Sequence, residues 1–510
     1  MAVLTAVLGV ATLAALALGA RASGQEGETS LRVAILRDYA NLSVYTAGAS
    51  DADPYVGLVY DTLFSTPYVQ EPEPLLAESA EPGLDNRTWT VELRDGVSWH
   101  DGERFTAEDV VFSFEFYRDG EPNRWTHHAS ESPDMARVEA LDDLTVRITR
   151  AQPCPTLAEV TLADLPILPE HVWSEVEDPA TFDGVAIGTG PYRVERHEPG
   201  EHYELAANER YFAGDPVADS LVLPIIPDPS SAFLALRSGQ VDAVSVPMPP
   251  QLVESFEANP EVDVVEATPL SDAELVFNMD REPFDSTAFR RAVMLAIDKD
   301  RLLETVLLGR GISGAESWPH PESPWTGENP PMPHDPEQAR RLVAEEGFEG
   351  TEMEILIPQQ DPTTQRATEL VTEDLRAVGI DASARAVDQA TIFELAGEGR
   401  FDAYVWAATA HALSDPTQLI QSFQAASYLG TYDNPEVAGL LEEAQAAGTV
   451  EEFRSLISRT HELLPDDPPV IPFYYPEQRY GVRPAAFDGG ATATYPPLSG
   501  QTENSSLGRV

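Results

Sequence analysis

The chain has 510 residues, and 42% of them are apolar, so it can fold into two or three domains with packed cores. It carries 86 acidic and 32 basic residues, for a net charge of −54, which excludes nucleic-acid binding because phosphate contacts need clustered Lys and Arg. Its single cysteine, Cys154, excludes an intramolecular disulfide.

The first segment of the chain is apolar. Residues 2–20 contain no charge and are rich in Ala, Leu and Val, and Ala20-Arg21-Ala22 places small residues at the end of the segment. This pattern predicts a secretory signal peptide over residues 1–22, which is either cleaved or retained as an N-terminal anchor. Both forms place the rest of the chain outside the cytoplasm, in the periplasm or at the outer face of the cell membrane.

A strand, two turns and a helix are predicted next. Residues 89–93 alternate apolar and polar side chains, which is typical of a half-buried strand. Asp-Gly pairs at 95–96 and 101–102 predict tight turns. Thr106, with Asp109 three residues later, predicts a helix N-terminus of the capping-box type.

Helices and strands alternate from residue 285 to residue 406. Asp285-Ser286 and Asp298 each predict a helix N-terminus, and Asp335-Pro336 opens a further helix that Gly347 closes. The next predicted elements are a strand over 352–357, a helix over 364–378, a strand over 380–387, a helix from about 390 and a strand over 403–406. Strand–helix–strand order at these lengths predicts parallel βαβ units in an α/β protein.

Eight motifs occur in the order found in one family of transport proteins. They are YDTLF at 60–64, LLAES at 75–79, WTVELRDGVSWHDGERFTAEDVVFS at 89–113, GTGPY at 188–192, NERYFAG at 208–214, LRSGQVD at 236–242, FN at 277–278, and, as the eighth, the segment 284–299, which contains FD, RRA and AIDK. By these motifs the chain resembles the extracytoplasmic solute-binding proteins of peptide, nickel and opine ABC importers. This is family 5, which includes oligopeptide- and dipeptide-binding proteins.

The resemblance implies a type II periplasmic-binding-protein-like fold, in which two α/β lobes face each other across a ligand cleft. It places the first lobe at 30–275 plus 480–510, with residues 61–189 as an extra subdomain inserted in that lobe. The second lobe is expected at 276–479. Two hinge passes are then expected, near residues 275–280 and 475–482.

No motif in the sequence predicts catalysis. The patterns HExxH, GxSxG and the GK[ST] phosphate loop do not occur. The adjacent His127 and His128 point in different directions, which makes them a poor metal pair. We therefore predict a binding protein with no cofactor and no metal site, and a secreted hydrolase is the alternative from another class.

The loop that follows Trp406 is the main candidate for the ligand site. In the family, the corresponding W-x-x-D-x-x-D-P loop lines the ligand, and in peptide binders its first aspartate pairs with the α-amino group of the peptide. Here Thr409 and Ala412 stand at that position, counted from Trp406 and from Asp415-Pro416 respectively. A buried ammonium without a carboxylate is strongly unfavourable, so a peptide with a free N-terminus is a doubtful ligand. Asp415 either substitutes for the missing carboxylate or caps a helix.

Six residues are predicted to contact the ligand: Trp406, His411, Asp415, Tyr428, Tyr474 and Asn278. Aromatic faces with a few fixed polar groups are typical of clefts that bind small molecules. The resemblance implies that a monomer captures a peptide-like or similar polar solute and delivers it to the transmembrane subunits of an ABC permease. The alternatives are an oligosaccharide or metal-chelate receptor, and a sensory binding protein without a transport role.

Acidic residues are distributed along the whole chain, and Lys299 is the only lysine. Such a surface repels itself at low ionic strength, whereas at about 1 M salt the Debye length falls to about 3 Å and the repulsion is screened. The composition therefore predicts a protein adapted to a salty exterior.

Overall fold

A computed structural model describes residues 29–38, 44, 56–65, 72–120, 125–126, 135–179, 182, 184–267, 272–315, 320–323, 325, 331–359, 361–406 and 432–484. The predicted signal segment over 1–22 and three of the predicted ligand residues, His411, Asp415 and Tyr428, lie outside the described residues. Within these ranges, none of the helices has the length and apolar character needed to cross a membrane.

The strands of the described residues are numbered in chain order. They are β1 Ser30–Ala34, β2 Phe64–Ser65, β3 Glu73–Pro74, β4 Ala77–Pro82, β5 Thr88–Leu93, β6 Met135–Asp142, β7 Thr145–Arg150, β8 Tyr192–Glu198, β9 His202–Ala207, β10 Ser220–Pro224, β11 Ala243–Val244, β12 Asp263–Ala267, β13 Ala273–Phe277, β14 Gly311–Ser313, β15 Glu352–Pro358, β16 Asp381–Val387, β17 Ala403–Trp406, β18 Val470–Pro476 and β19 Gln478–Val482.

The helices of the described residues are numbered in the same way. They are α1 Ala107–Asp119, α2 Thr161–Asp164, α3 Glu170–Trp173, α4 Pro229–Ser238, α5 Pro250–Glu257, α6 Thr287–Ala296, α7 Lys299–Val306, α8 Pro336–Glu345, α9 Pro362–Ala377, α10 Gln389–Gly397, α11 Pro435–Gln445 and α12 Val450–Leu463.

The helix starts predicted from capping residues are confirmed. Thr106 and Asp109 form a capping box at the start of α1. Ser286, Asp298 and Asp335 each accept a hydrogen bond from the backbone N–H three residues later, at the starts of α6, α7 and α8. Helix α9 begins two residues earlier than predicted because Asp361 caps it ahead of a proline at the first helical position.

A seven-stranded sheet contains strands from both ends of the described chain, in the order β12-β19-β11-β1-β10-β9-β8. Strand β1 lies parallel to β10 and to β11, while β19 lies antiparallel to β11 and to β12. A separate four-stranded antiparallel sheet, β4-β5-β7-β6, lies within residues 77–150. This second sheet falls inside the subdomain predicted over 61–189.

A six-stranded sheet, β14-β18-β13-β17-β15-β16, contains the strands between residues 273 and 476. Strand β15 lies parallel to β16 and to β17, with α9 between β15 and β16 in sequence and α10 between β16 and β17. These are the predicted βαβ units. One buried hydrophobic cluster draws all of its members from residues 273–474, and the others draw theirs from residues 31–262 and Val482.

The sequence motifs around His100 and Gly188-Thr189-Gly190 meet in space. The backbone N–H of Gly188 donates to Nδ1 of His100 at 3.3 Å, and Nε2 of His100 lies 2.9 Å from the carbonyl oxygen of Gly190. A side chain at position 188 would lie 1.8 Å from the carbonyl oxygen of Val59, so only glycine fits there. Burial lowers the pKa of His100 to about 4, which keeps the imidazole neutral and structural.

Candidate functional site

The strands β1, β10, β11 and β12 of the seven-stranded sheet end at the same edge. Strands β1, β10 and β11 are parallel, and β12 shares their direction because both β11 and β12 lie antiparallel to β19. Their carboxyl ends are Ala34, Pro224, Val244 and Ala267. In open α/β sheets, ligands bind outside the carboxyl ends of parallel strands, so this edge is a candidate site.

The six-stranded sheet has an equivalent edge. The parallel strands β15, β16 and β17 end there at Pro358, Val387 and Trp406. The antiparallel β13 begins at the same edge, since its residue Glu274 stands opposite Trp406, and β18 ends there.

The chain passes between these two edges twice. Strand β12 ends at Ala267 and β13 begins at Ala273, while only Glu477 separates β18 from β19. Because both passes join one edge to the other over so few residues, the two edges lie side by side.

The first of the two passes differs in position from the one that the family resemblance implies. Strand β13 pairs wholly within the six-stranded sheet, so the first pass lies between Ala267 and Asp272, earlier than the expected 275–280. The second pass, at Glu477, falls inside the expected 475–482. Strand β19 already pairs with β12 from Gln478, ahead of the expected restart of the first lobe at 480.

Trp406 is the last residue of β17 and lies half-buried at the edge of the six-stranded sheet. The centroid of its ring lies 5.2 Å from that of Phe393, on helix α10, with the ring planes tilted by 60°. Phe393 is 45% exposed. The two rings thus form an aromatic pair at the point where the chain enters the predicted ligand loop.

Acidic side chains and buried tyrosines share this edge. Asp272 and Glu274 are each 2% exposed. Burial, together with the negative charges of these two carboxylates, raises the pKa of Tyr475. Tyr474 is also 2% exposed, and burial followed by the charge of Asp361 raises its pKa. The edge therefore holds two buried acidic side chains in addition to the aromatic pair.

Asn278 does not lie with the other predicted ligand residues. It follows the carboxyl end of β13, and β13 runs antiparallel to β17, so Asn278 lies at the opposite edge of the sheet from Trp406. Its Nδ2 donates to the carbonyl oxygens of Gly399 at 3.0 Å and Phe401 at 2.8 Å. These bonds favour a structural role for Asn278 instead of the ligand contact expected from the sequence.

Polar groups also line the edge of the seven-stranded sheet. Asp38, three residues past an isolated bridge that extends β1, accepts hydrogen bonds from the hydroxyl of Tyr203, from the N–H of Gly200 at 2.8 Å and from Nε2 of His197 at 2.9 Å. Burial raises the pKa of Asp38, but these hydrogen bonds outweigh burial and the pKa is lowered overall. Ser245, directly after β11, is 6% exposed, and its hydroxyl has no hydrogen-bond partner among the described residues.

No metal cluster is found in the part of the chain that the structure describes, where no three His, Cys, Asp or Glu side chains are placed to hold an ion. Cys154 is buried.

The model of the bacterial extracellular solute-binding proteins, family 5, middle region, matches residues 71–429. The chain belongs to this family. Heme-binding protein A of Haemophilus influenzae is 29% identical to it over 431 residues, which are 78% of this chain and 78% of that protein. The dipeptide-binding protein of Escherichia coli is 27% identical over 370 residues, 67% of this chain and 68% of that protein.

A solved structure shows that the fold extends over most of the chain. The ABC transporter-associated periplasmic binding protein DppA from Helicobacter pylori, in complex with the peptide STSA, superposes with a TM-score of 0.77 at 23% identity. The superposition covers 95% of this chain and 98% of that one. The seven-stranded and the six-stranded sheets of this family 5 chain, each with its own hydrophobic cluster, therefore belong to different lobes.

Sequence reasoning missed several residues at the sheet edges of this family 5 chain. Phe393, Asp272, Glu274 and Ser245 carry no motif of their own. Their importance comes from strand direction, which decides the edge at which each strand end lies. Glu274 could have been found only from the direction of its strand. Strand β13 begins at the edge where β17 ends with Trp406, so Glu274 lies opposite Trp406.

Proposed function

We propose that this chain captures a peptide-like or similar polar solute between the two facing sheet edges and delivers it to an ABC permease. The observation that carries the proposal is the pair of short connections, from Ala267 to Asp272 and across Glu477, which join the carboxyl edges of the parallel strands in the two sheets. A solute held there contacts both lobes only when they close, so it shifts the population toward the closed form.

The chemistry of the second-lobe edge supports a polar ligand with a flat or apolar part. Trp406 and Phe393 offer ring faces, and Glu274 and Asp272 place negative charge beside them. Aromatic stacking and a carboxylate together favour groups that carry a positive or positively polarised end. A peptide or a peptide-like compound has such groups.

Relatives of the chain differ in what their names say they bind. The E. coli relative is named for dipeptides, the H. pylori structure holds a peptide, and the H. influenzae relative is named for heme. Peptide-like solutes are therefore our first candidate, and a metal chelate such as heme is the second.

The test begins with native mass spectrometry of the protein purified in high salt, to identify any solute that copurifies. Titration calorimetry then compares the peptide Ser-Thr-Ser-Ala, the same peptide acetylated at its N-terminus, heme, and a neutral oligosaccharide. Binding of either peptide supports the proposal, and tighter binding of the acetylated form supports a site without a partner for the α-amino group. Binding of heme or the oligosaccharide alone would replace the peptide-like solute with that class.

A further inference from the structure

Among the described residues, direct contacts join the lobes in two places outside the passing strands. Close to the second pass, the guanidinium of Arg310 lies 3.9 Å from the carboxylate of Glu257 and 3.8 Å from that of Glu477. The other contact involves the four-stranded sheet, which contains none of the strands that flank the two passes. There the side-chain amide of Asn86, in the turn between β4 and β5, donates a hydrogen bond to the carbonyl oxygen of Gly448, between α11 and α12.

The turn that carries Asn86 is fixed within its own lobe. The backbone N–H of Asn86 donates to the carbonyl oxygen of Gly83 at 3.0 Å, and its carbonyl oxygen accepts from the N–H of Cys154 at 2.9 Å. Asn86 has a φ of 50°, a left-handed conformation that asparagine adopts more readily than most residues. The side-chain amide is therefore presented by a rigid support.

The segment that carries Gly448 is fixed within the other lobe. The N–H of Gly448 donates to the carboxylate of Glu452 at 3.0 Å, and Thr449 caps helix α12 by accepting from the N–H of Glu452 at 3.1 Å. Both partners of the Asn86–Gly448 bond thus keep their local hydrogen bonds whether or not the lobes touch. Opening of the lobes breaks the bond between them and leaves each support unchanged.

We propose that the Asn86–Gly448 hydrogen bond is a clasp that holds the lobes closed, formed by residues outside the two sheets whose edges make up the candidate site. The inference rests on the proposed function, since a clasp matters only in a protein that opens and closes around a solute. One neutral hydrogen bond exchanged for water changes an equilibrium by about twofold to tenfold, so the clasp tunes the closed population without dictating it.

The test measures opening directly in the protein without added solute. Nitroxide labels at Glu81→Cys and Glu443→Cys, two exposed positions in different lobes, report the distance between the lobes by double electron–electron resonance. Cys154 is replaced by Ala so that only the introduced thiols react. Asn86→Gly keeps the left-handed turn and removes the amide, whereas Asn86→Asp keeps the size and replaces the donor with a carboxylate.

Leu84 gives the matched control, because it lies in the same turn with its side chain fully exposed and Leu84→Ser leaves the clasp intact. We expect the ratio of open to closed protein to rise about threefold to tenfold in Asn86→Gly, and further in Asn86→Asp, with the control unchanged. Thermal unfolding verifies that each variant folds. If one of the two Asn86 variants does not fold, the other is enough for the test.

Distance distributions that match the parent in both Asn86 variants would overturn the clasp. The result does not depend on which solute binds, so failure of the clasp leaves the binding assay of the proposed function untouched. Conversely, if none of the tested solutes binds, the distances measured between the lobes still decide whether the clasp exists.

Discussion

Glu274 and Trp406 stand directly opposite each other on the neighbouring antiparallel strands β13 and β17. Opposite residues of an antiparallel pair point to the same face of the sheet, with Cβ atoms about 4.5–5.5 Å apart. A carboxylate and an indole therefore share one face, at the edge where the chain passes between the lobes. This pairing joins an aromatic surface to a negative charge in the same place.

Trp406→Ala is expected to weaken solute binding by more than about tenfold, or ~1.4 kcal/mol, because the change removes a ring face from the cleft. The fold is expected to survive, since the indole is half-buried at a strand end. Trp406→Phe keeps an aromatic face and should lose less affinity. Calorimetry with the solute identified by native mass spectrometry checks both variants, and an unchanged affinity in Trp406→Ala would remove this residue from the site.

Asn278→Ala is expected to lower the free energy of unfolding by about 1–3 kcal/mol, because the buried carbonyl group of Phe401 and the carbonyl group of Gly399 lose their donor. Solute affinity of the folded protein should stay the same, since Asn278 lies at the edge opposite Trp406. Urea unfolding and calorimetry on the same samples separate the two effects. Loss of affinity at unchanged stability would restore Asn278 to the ligand site.

Local structure in this chain was predictable from sequence because its signals are local. The caps at Ser286, Asp298 and Asp335 act over three residues, and each predicted helix begins where its cap places it. The motifs also supplied the family, and with it the two-lobed fold. Trp406 and Tyr474 both reach the edge at which the lobes meet.

The arrangement of strands was not predictable in the same way, because it depends on pairing between distant segments. Asn278 directly follows β13 and Trp406 is the last residue of β17, but the two strands run in opposite directions and their carboxyl ends lie at opposite edges. The Asn86–Gly448 contact joins residues 362 positions apart, and neither residue belongs to a motif. Such contacts carry no periodic or compositional signal.

Lys299→Met is expected to remove a rise in stability with pH. Lys299 is fully buried, and its Nζ donates to the carbonyl oxygen of Met294 at 2.8 Å. Burial lowers its pKa to about 7 in the folded chain, against about 10.4 when unfolded. Between these values the unfolded chain holds a proton that the folded chain has released, so stability rises with pH by up to about 1.4 kcal/mol per unit.

The comparison uses urea unfolding at pH 6, 7, 8 and 9, a range below the pKa of tyrosine. The parent should gain stability relative to Lys299→Met from pH 7 upward, and the difference should be constant below pH 7. Lys299→Arg is the matched control, because it stays charged and should show no such gain. Parallel curves for the parent and Lys299→Met would show that the lysine keeps its ordinary pKa.

The net charge of −54 leads to the last expected outcome, a strong dependence of thermal stability on salt. In dilute buffer the Debye length is about 30 Å, so carboxylates repel one another across the surface, whereas at about 1 M it is about 3 Å. The unfolding temperature should therefore rise from 0.01 M to 1 M NaCl, with most of the gain at the lower concentrations, where screening changes most. Choline chloride at equal ionic strength should give the same rise if screening is the cause. A larger rise with NaCl would indicate bound sodium ions instead, and equal or greater stability in dilute buffer would contradict adaptation to a salty exterior.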